Sequence, residues 1–402
     1  MILFINQKYL SGTFRQSVTI RCNELRNESR CDLGHPSQGW RVSGTDRVEA
    51  MAGIKDVAKK AGVSVSTVSN VINGRHAKMG ARTLSRVQEA ITALNYTPSA
   101  VARQLKSGQI KTLGLVVPSV ANPFWGNVSQ LIEKAALKRG YQVLICNAER
   151  DPDLEVTYMN SLHGSSIRGT ILGSSPVSFD HLREHAEKGM RIAAFDRVSR
   201  GAKGVVSCSV SVDQALGARL ATRHLIGLGH KRIAFISGPI GTSSRIARLE
   251  GMRRELDKEG LTLEDDMIWL GGANAMGFGD SHAAELGRTA ARELLTQDNP
   301  PTAIFTVNDM YAIGACSGAR ELGYRVPEDL SVVGFDDIFM AKVVEPPLTT
   351  VRQPVEKMAE LIVAKLIYTL ENEDGAEEPH VILRPELMVR NSTAAPKPPR
   401  KP

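Results

Sequence analysis

Apolar residues recur at helical spacing in a short segment that begins at Ile54. The first apolar stripe consists of Val57, Ala58 and Ala61. Gly62 follows where a helix can end in a residue with positive φ, and Ser64 is a suitable N-cap for a second helix. The second apolar stripe consists of Val68, Val71 and Ile72. The pattern predicts two short helices joined by a tight turn, which is typical of a helix-turn-helix or of a small helical bundle.

After Gly108 the pattern changes to short apolar runs that alternate with amphipathic stretches. The predicted strands are Thr112–Val117, Gln142–Cys146, Thr170–Gly173, Ile192–Phe195, Arg232–Ser237, Met267–Leu270, Ala303–Val307 and Leu330–Phe335. Repeated strand–helix units indicate parallel sheets that are covered on both faces. This segment contains about 280 residues, which is too many for a single hydrophobic core. We therefore expect two similar lobes with a ligand cleft beyond the strand ends.

The positive charge of the chain is concentrated on the helical segment. Residues 51–111 contain ten Lys and Arg against two Asp and Glu, a net charge of +8, whereas the whole chain has a net charge of +7. Contact with phosphate groups requires such a concentration, while an ordinary solvated surface would distribute the charge more evenly. This balance favours the helix-turn-helix reading and double-stranded DNA as the partner. Val65, Ser66 and Asn70 lie off the second apolar stripe and are the candidates for base contacts.

Several motifs, in this order and at these distances, resemble the LacI/GalR family of bacterial transcriptional regulators. The resemblance covers Ile54 to about Arg390. Its motifs are Asp56-Val-Ala-x-x-Ala-Gly-Val-Ser-x-x-Thr-Val-Ser69, Asn95-Tyr-x-Pro98, Ala100-Val-Ala-Arg-x-Leu105, Asn122-Pro-Phe124, Gly229-His-x-x-Ile233, Asn308-Asp309, Arg325-Val-Pro327, Ser331-Val-Val-Gly-Phe-Asp-Asp337 and Leu348-Thr-Thr350.

The resemblance implies an N-terminal all-α helix-turn-helix head with a hinge helix, followed by an α/β effector domain. That domain would have two lobes of periplasmic-binding-protein type with Rossmann-like parallel sheets. The chain would enter the second lobe near Asp213 and return to the first near Asn308. The DNA-binding residues that we assign are Lys55, Ser64, Val65, Ser66, Thr67, Asn70, Asn73, Tyr96, Ala102, Arg103 and Leu105.

The hinge helix is expected over Ser99–Lys106. A segment of this length is too short to be stable alone in water, because helix nucleation is costly below about 12–15 residues. In the family, two copies pair and enter the minor groove, where the residue that corresponds to Leu105 would open a base step. The alternative is an ordinary linker helix in which Leu105 packs against the next domain.

Polar and aromatic residues follow the predicted strands and would line the cleft. By family position the effector-binding candidates are Asn122, Phe124, Trp125, Asp196, Ser244, Arg248 and Asp309. An aromatic surface surrounded by such groups suits a polyhydroxylated ligand, so a sugar or a sugar derivative is favoured over a purine. As alternatives, Asp196 and Asp309 could be helix N-caps, and Arg248 could be a salt-bridged surface residue. Asn274 and Phe278 are further candidates in a long loop.

The boundaries follow from these assignments. Residues 51–97 form the DNA-binding domain, 98–108 the hinge helix and 109–393 the two-lobe effector and dimerisation domain. Residues 1–50 fit neither pattern and are expected to be a non-native or disordered extension, since Met51 starts the family-like sequence. The Pro- and Lys-rich segment 394–402 is expected to be disordered.

No sequence motif for catalysis, a metal or a cofactor is present: there is no phosphate loop, dinucleotide-binding loop or nucleophile elbow. Asp336 and Asp337 are expected to cap a helix or link the lobes, and His230 to be a structural turn residue. The prediction is therefore a cytoplasmic, dimeric DNA-binding regulator, most simply a repressor, that is controlled by a small molecule. The alternatives are a purine-type regulator that depends on a corepressor and a sugar-binding transport protein, which would need a secretory signal.

Overall fold

The computed structural model describes residues 52–75, 79–96, 111–174, 176–197, 204–271, 282–372 and 380–397. Two compact units divide near Ala100. The first contains the helices α1 (Ile54–Ala61), α2 (Val65–Ile72) and α3 (Ala81–Ala93). Within the described ranges no helix is long and apolar enough to cross a membrane.

Local signals set the turn between α1 and α2. Gly62 adopts φ 62°, which ends α1, and the Ser64 side chain accepts a hydrogen bond from the amide of Thr67 at the start of α2. The three helices share a small apolar core. Its buried residues are Val57, Ala58, Ala61, Val68, Val71, Val87 and Ala90. The predicted helix-turn-helix is confirmed.

The second unit contains two six-stranded sheets, each flanked by helices. The strands are β1 (Thr112–Val117), β2 (Gln142–Asn147), β3 (Gly169–Leu172), β4 (Arg191–Phe195), β5 (Val206–Val212), β6 (Ile233–Ile236), β7 (Ile268–Trp269), β8 (Ala303–Thr306), β9 (Ser331–Asp336), β10 (Thr349–Arg352), β11 (Val381–Leu383) and β12 (Glu386–Met388). The helices are α4 (Pro123–Leu137), α5 (Pro152–Gly164), α6 (Arg183–Glu187), α7 (Gln214–Gly227), α8 (Ser243–Lys258), α9 (Ala283–Leu295), α10 (Asp309–Glu321), α11 (Met340–Val343) and α12 (Val355–Glu371).

Each sheet is the centre of one lobe. The first-lobe sheet has the order β11-β5-β4-β3-β1-β2, and the second-lobe sheet has the order β12-β10-β9-β8-β6-β7. Every pairing is parallel except that of β10 with β12. The predicted two-lobe α/β architecture is confirmed, and all eight predicted strands lie within one residue of their observed bounds.

Three crossings join the lobes, and one of them corrects a prediction. The chain enters the second lobe between β5 and α7, near Asp213, as predicted. It does not return near Asn308, which lies inside the second lobe before α10. The return occurs after β10, at Gln353 and Pro354, and a third crossing connects β11 to β12. The expected position was wrong because β9 and β10 complete the second sheet before the chain leaves it.

Strand β5 was not predicted, because its sequence alternates valine with serine and cysteine. The structure buries both kinds of residue. Ser209 and Ser211 are almost fully inaccessible, and their hydroxyls lie 2.6 and 3.2 Å from the two ring nitrogens of His380. Buried serines with hydrogen-bond partners are compatible with a central strand, although their sequence pattern suggests a loop or an exposed face.

The C-terminal segment also departs from its prediction. Ala394 exchanges hydrogen bonds with the Ser331 hydroxyl, and its carbonyl oxygen lies 2.9 Å from Nε2 of His230. Lys397 donates to Asp329 at 2.8 Å. Residues 394–397 are thus fixed to the second lobe, and the expectation of a disordered tail from residue 394 was wrong for them. The same contacts confirm His230 as a structural residue.

The packing of α9 against α10 depends on glycine. A Cβ atom added to Gly314 would lie 1.8 Å from the carbonyl oxygen of Ala284, and one added to Gly287 would lie 2.1 Å from the carbonyl oxygen of Tyr311. Backbone atoms cannot move aside as the end of a flexible side chain can. The two helices must therefore approach each other through their backbones.

We predict that Gly314→Ala lowers the free energy of unfolding by about 3 kcal/mol, the upper range for an overpacked core. Gly227→Ala is the matched control, since Gly227 ends helix α7 and has no atom within 4 Å of an added Cβ. That variant should be neutral or more stable by up to about 1 kcal/mol. Urea denaturation measures both values, and equal effects would show that the close approach of α9 and α10 is not required.

Candidate functional site

Helix α2 exposes the residues that were predicted to contact bases. Val65 is 41% exposed, and Ser66 and Asn70 are also exposed. Among the described residues, the Asn70 side chain makes no hydrogen bond, so its amide is available to an external partner. An exposed asparagine on the second helix of a helix-turn-helix can form a bidentate pair with adenine, and valine can contact a thymine methyl group.

The other predicted DNA-binding residues have more varied surroundings. Ser64 lies 2.7 Å from the Ser66 hydroxyl and 2.8 Å from the Thr67 hydroxyl, so these three groups form one cluster at the helix start. Asn73 donates to the Ser69 carbonyl at 2.6 Å, and Tyr96 packs against the helical core. Lys55 is exposed on α1. Ala102, Arg103 and Leu105, with the whole hinge segment, lie outside the described residues, as do residues 1–51, Asn274 and Phe278.

A polar cavity lies between the two lobes at the C-terminal ends of their strands. The first lobe contributes Asn122, Phe124, Trp125, Arg150 and Asp196, and the second contributes Ser244, Arg245, Arg248, Val307, Asn308 and Asp336. Six of the seven predicted effector-binding residues are among them. The cavity volume is about 30 Å³. This space holds roughly one or two water molecules, whereas pockets for drug-sized ligands measure about 300–1,000 Å³.

Aromatic rings form the apolar side of the cavity wall. Phe124 and Trp125 meet edge to face with their ring centroids 5.3 Å apart, and Trp125 lies 5.9 Å from Phe195 in the same type of arrangement. Asn122 caps α4, since its side-chain oxygen accepts a hydrogen bond from the Phe124 amide at 3.0 Å. The cap therefore holds the first turn of α4, which carries Phe124 and Trp125, at the cavity.

A chain of buried hydrogen bonds crosses the cavity from one lobe to the other. Gln214 donates to the Asp196 carboxylate and accepts from Nε of Arg248 at 2.7 Å. Arg248 also donates to the carbonyl oxygen of Val307, and its Nη2 lies 3.8 Å from the Asp336 carboxylate. Asp336 accepts a further hydrogen bond from Gln353 at 2.8 Å. We refer to Asp196, Gln214, Arg248, Asp336 and Gln353 as the interlobe chain.

The electrostatics of the interlobe chain follow from its burial. Burial raises the pKa of Asp196 to about 6, although the charges of Arg248 and Arg150 and the hydrogen bond from Gln214 oppose this shift. The Arg248 guanidinium stacks on the Phe335 ring, with a distance of 3.6 Å from Cζ to the ring centroid. Arg248 is only 6% exposed and is thus part of the cavity wall, which excludes the surface salt-bridge alternative.

Asp309 is set apart from the cavity. Its carboxylate is fully buried, accepts a hydrogen bond from the Thr350 hydroxyl, and accepts another from the Ile338 amide at 2.9 Å. Burial, and next the charge of Asp336, raise its pKa well above the usual value for an aspartate. Asp309 does not face the ligand space. The neighbouring Asn308 both caps α10 and lines the cavity, so the helix N-cap is one residue earlier than the alternative supposed.

Four polar cavity residues had no place among the sequence candidates: Arg150, Arg245, Asn308 and Asp336. Asp336 is the last residue of β9, and a search for polar residues at strand ends, as at Asp196 after β4, would have found it. Arg150 and Asp336 have φ values of 60° and 114°, and such left-handed backbone directions are not visible in a sequence. Asp337 points elsewhere, since it pairs with Arg352 at 2.7 Å and with Arg390.

Comparisons with known proteins agree with this geometry. Residues 53–99 match the description "Bacterial regulatory proteins, lacI family", and residues 222–393 match "Periplasmic binding protein-like domain". The HTH-type transcriptional regulator DegA of Bacillus subtilis is 33% identical over 344 residues, which cover 85% of this chain and 98% of DegA. The ribose operon repressor of Escherichia coli is 34% identical over 349 residues, which cover 85% of this chain and all of that repressor.

A solved structure gives the same result for the whole architecture. The Lac repressor dimer bound to operator and an anti-inducer aligns with a TM-score of 0.73 and 28% identity, covering 86% of this chain and 100% of that chain. These relatives are transcriptional regulators, and the similarity extends through both units. The chain therefore belongs to the LacI family of DNA-binding bacterial transcriptional regulators.

Proposed function

We propose that this protein is a transcriptional repressor that binds a pseudo-palindromic operator as a homodimer in the cytoplasm and is controlled by a small effector in the interlobe cavity. The observation that carries the proposal is the cavity itself. Polar and aromatic residues from both lobes line it, in a chain that also carries a helix-turn-helix. A regulator that only bends DNA would have no use for such a cavity.

The DNA-binding part of the proposal rests on α2. Its exposed Val65, Ser66 and Asn70 would read base edges, while Lys55 would contact the phosphate backbone. Residues 98–108 would form the hinge helix once two copies pair on the operator. Folding of that helix would then be linked to DNA binding, so any change that separates the two copies would weaken the complex.

The regulatory part rests on the interlobe chain. Gln214 is the first residue of α7, directly after the first crossing, and Gln353 lies in the second crossing. Both crossings thus bond to carboxylates of the cavity wall. A ligand that competes for Asp196 or Asp336 changes the contacts of the segments about which the lobes would move. A ligand with different affinities for the two lobe arrangements shifts their populations.

A sugar or a sugar derivative is the effector class that the cavity favours, because apolar rings and several hydrogen-bonding groups share one wall. Relatives point the same way. One is the ribose operon repressor, and the structure of the regulator CelR in complex with cellobiose aligns with 30% identity and a TM-score of 0.62. A purine is the second candidate, since the repressor PurR of Mannheimia succiniciproducens is 33% identical.

We predict that Asn70→Ala weakens binding to the operator by about 1–3 kcal/mol, the value of one bidentate base contact. Binding to unrelated DNA at the same salt concentration should not change. The operator is first identified by genome-wide DNA binding, and fluorescence anisotropy then measures both affinities. Gln88→Ala is the matched control, since Gln88 is an exposed amide on α3. Equal losses on operator and unrelated DNA would contradict base reading by Asn70.

We predict that Arg248→Lys removes the response to the effector and keeps operator binding. Lysine retains the charge near Asp336 but cannot bond to Gln214 and Val307 together. The coupling between effector and operator, on the order of five- to 150-fold in such systems, should fall below about twofold. Arg254→Lys is the control, because Arg254 is an exposed arginine on the same helix.

Operator titrations with and without effector decide this prediction. A full response in Arg248→Lys would exclude the interlobe chain from signalling. If Arg248→Lys loses both operator binding and the native circular dichroism spectrum, Arg248 is required for folding and not specifically for signalling. Asp309→Asn should behave differently from Arg248→Lys, because Asp309 contacts Thr350 and Ile338 away from the cavity. The Asp309→Asn protein should be less stable to unfolding but should keep its response to the effector.

A further inference from the structure

The end of helix α1 is completed by a side chain from another helix. The amides of Gly62 and Val63 bond back to carbonyl oxygens within α1, as is usual for a helix that ends in glycine. The next two carbonyl oxygens, of Ala61 and Gly62, lie 2.5 and 3.3 Å from Nη2 of Arg86. Arg86 belongs to α3, so the guanidinium joins the third helix to the end of the first.

The carbonyl groups that Arg86 binds lie at the start of the connection between α1 and α2. This connection has only three residues, since α1 ends at Ala61 and α2 begins at Val65. Helix α3 packs mainly against α1 and less against α2. The direction of α2 therefore depends strongly on the conformation of the connection, and the guanidinium holds the first part of that connection against α3.

Arginine is chemically suited to this position. The unsatisfied carbonyl groups at the C-terminus of a helix carry a partial negative charge of roughly half a unit, which favours a cation. Hydrogen bonds from a charged donor are shorter and stronger than those between neutral groups. The planar guanidinium also presents several donors in a fixed arrangement, so it can serve two neighbouring oxygens at once.

The guanidinium also occupies the space beside Gly62. This residue has a φ of 62°, and a Cβ atom added to it would lie 2.5 Å from Nη2 of Arg86. The end of a flexible side chain can move aside, so a side chain at position 62 would displace the guanidinium and leave the backbone in place. The contact between Arg86 and the turn can thus be broken from either side.

Resting on the proposed reading of base edges by α2, we infer that Arg86 is a positioning residue for operator recognition. Its guanidinium fixes the turn between α1 and α2, and it thereby aligns Val65 and Asn70 with the bases. The other role for an exposed arginine in a DNA-binding head is a phosphate contact. A phosphate contact strengthens binding to every DNA sequence, whereas alignment of α2 strengthens binding to the operator alone.

The first test uses the full chain and keeps the charge. In Arg86→Lys a single ammonium group replaces the planar fork and cannot serve both oxygens in the same way. We expect affinity for the operator to fall about tenfold, on the order of one weakened base contact. Affinity for unrelated DNA of equal length at the same salt concentration should stay within about twofold of the wild type.

Arg82→Lys is the matched control, because Arg82 is another exposed arginine on α3. This variant should bind both DNAs as the wild type does. Fluorescence anisotropy measures all four affinities.

The second test breaks the contact from the side of the turn. Asparagine tolerates the left-handed backbone of position 62 better than other non-glycine residues do, so Gly62→Asn displaces Arg86 at little cost to the fold. We expect this variant to lose about tenfold in operator affinity. Adding Arg86→Lys to it should cost less than about twofold more, because the same contact is already broken. Fully additive losses would overturn the inference.

Two further measurements separate positioning from folding and from phosphate contact. Amide hydrogen exchange in α1 and α3 should be the same in Arg86→Lys as in the wild type. Faster exchange throughout both helices would assign Arg86 to folding of the head and would overturn the inference. In Arg86→Met, which removes the charge, the salt dependence of binding to unrelated DNA should be unchanged. Loss of a phosphate contact would instead lower the slope of log affinity against log salt by about 0.9 and would also overturn it.

The outcomes distinguish this inference from the function on which it rests. Operator binding by Arg86→Lys at the affinity of the wild type would overturn the inference and leave the proposed function intact. Equal losses on operator and unrelated DNA would assign Arg86 to the phosphate backbone, again without affecting the proposed function. A wild-type protein that prefers no operator sequence over unrelated DNA would contradict both.

Discussion

The effector unit depends on a buried chain of polar contacts, in which hydrogen bonds join Asp196, Gln214 and Arg248, an ion pair of 3.8 Å joins Arg248 to Asp336, and a hydrogen bond joins Asp336 to Gln353. Two carboxylates and one guanidinium are removed from water between the lobes, and such burial is tolerated only when the charges are paired and hydrogen-bonded. The pairing is distributed over both lobes. These charges are therefore paired and hydrogen-bonded only while the two lobes keep this arrangement.

This constraint explains several local features. Asp196 and Asp336 end buried strands with φ values of 62° and 114°, conformations that cost an ordinary residue about 1–3 kcal/mol. In these conformations Asp196 accepts a hydrogen bond from Gln214, and Asp336 accepts one from Gln353. The glutamines that accompany them lie at two of the three crossings between the lobes, so these crossings are hydrogen-bonded to the cavity wall.

Local signals allowed much of the fold to be predicted. Gly62 and Ser64 mark the turn of the helix-turn-helix because capping depends on neighbouring residues alone, and the apolar runs of eight strands are local as well. Strand β5 was missed because Ser209 and Ser211 are polar in sequence and satisfied by a distant His380. The position of the return crossing depends on the places of β9 and β10 in the second sheet. The sequence pattern does not give those places.

Six of the seven effector candidates reached the cavity, and the exception has a physical reason. Asn308 is the extended N-cap of α10 and lines the cleft, whereas Asp309 is the first helical residue and its carboxylate accepts hydrogen bonds from Thr350 and Ile338 in the core. Arg150 and Arg245 could not be found because their positions depend on how the lobes face each other.

If the cavity of about 30 Å³ is to admit the effector proposed above, the lobes must first separate. Pro176 of the first lobe forms an isolated antiparallel bridge with Thr242 of the second. Cα atoms in such pairs lie about 4.5–5.5 Å apart, within the range of a disulfide. In Pro176→Cys with Thr242→Cys, calorimetry before and after reduction should show that the oxidised protein does not bind the wild-type effector and the reduced protein does. Equal binding in both forms would contradict the requirement for lobe separation.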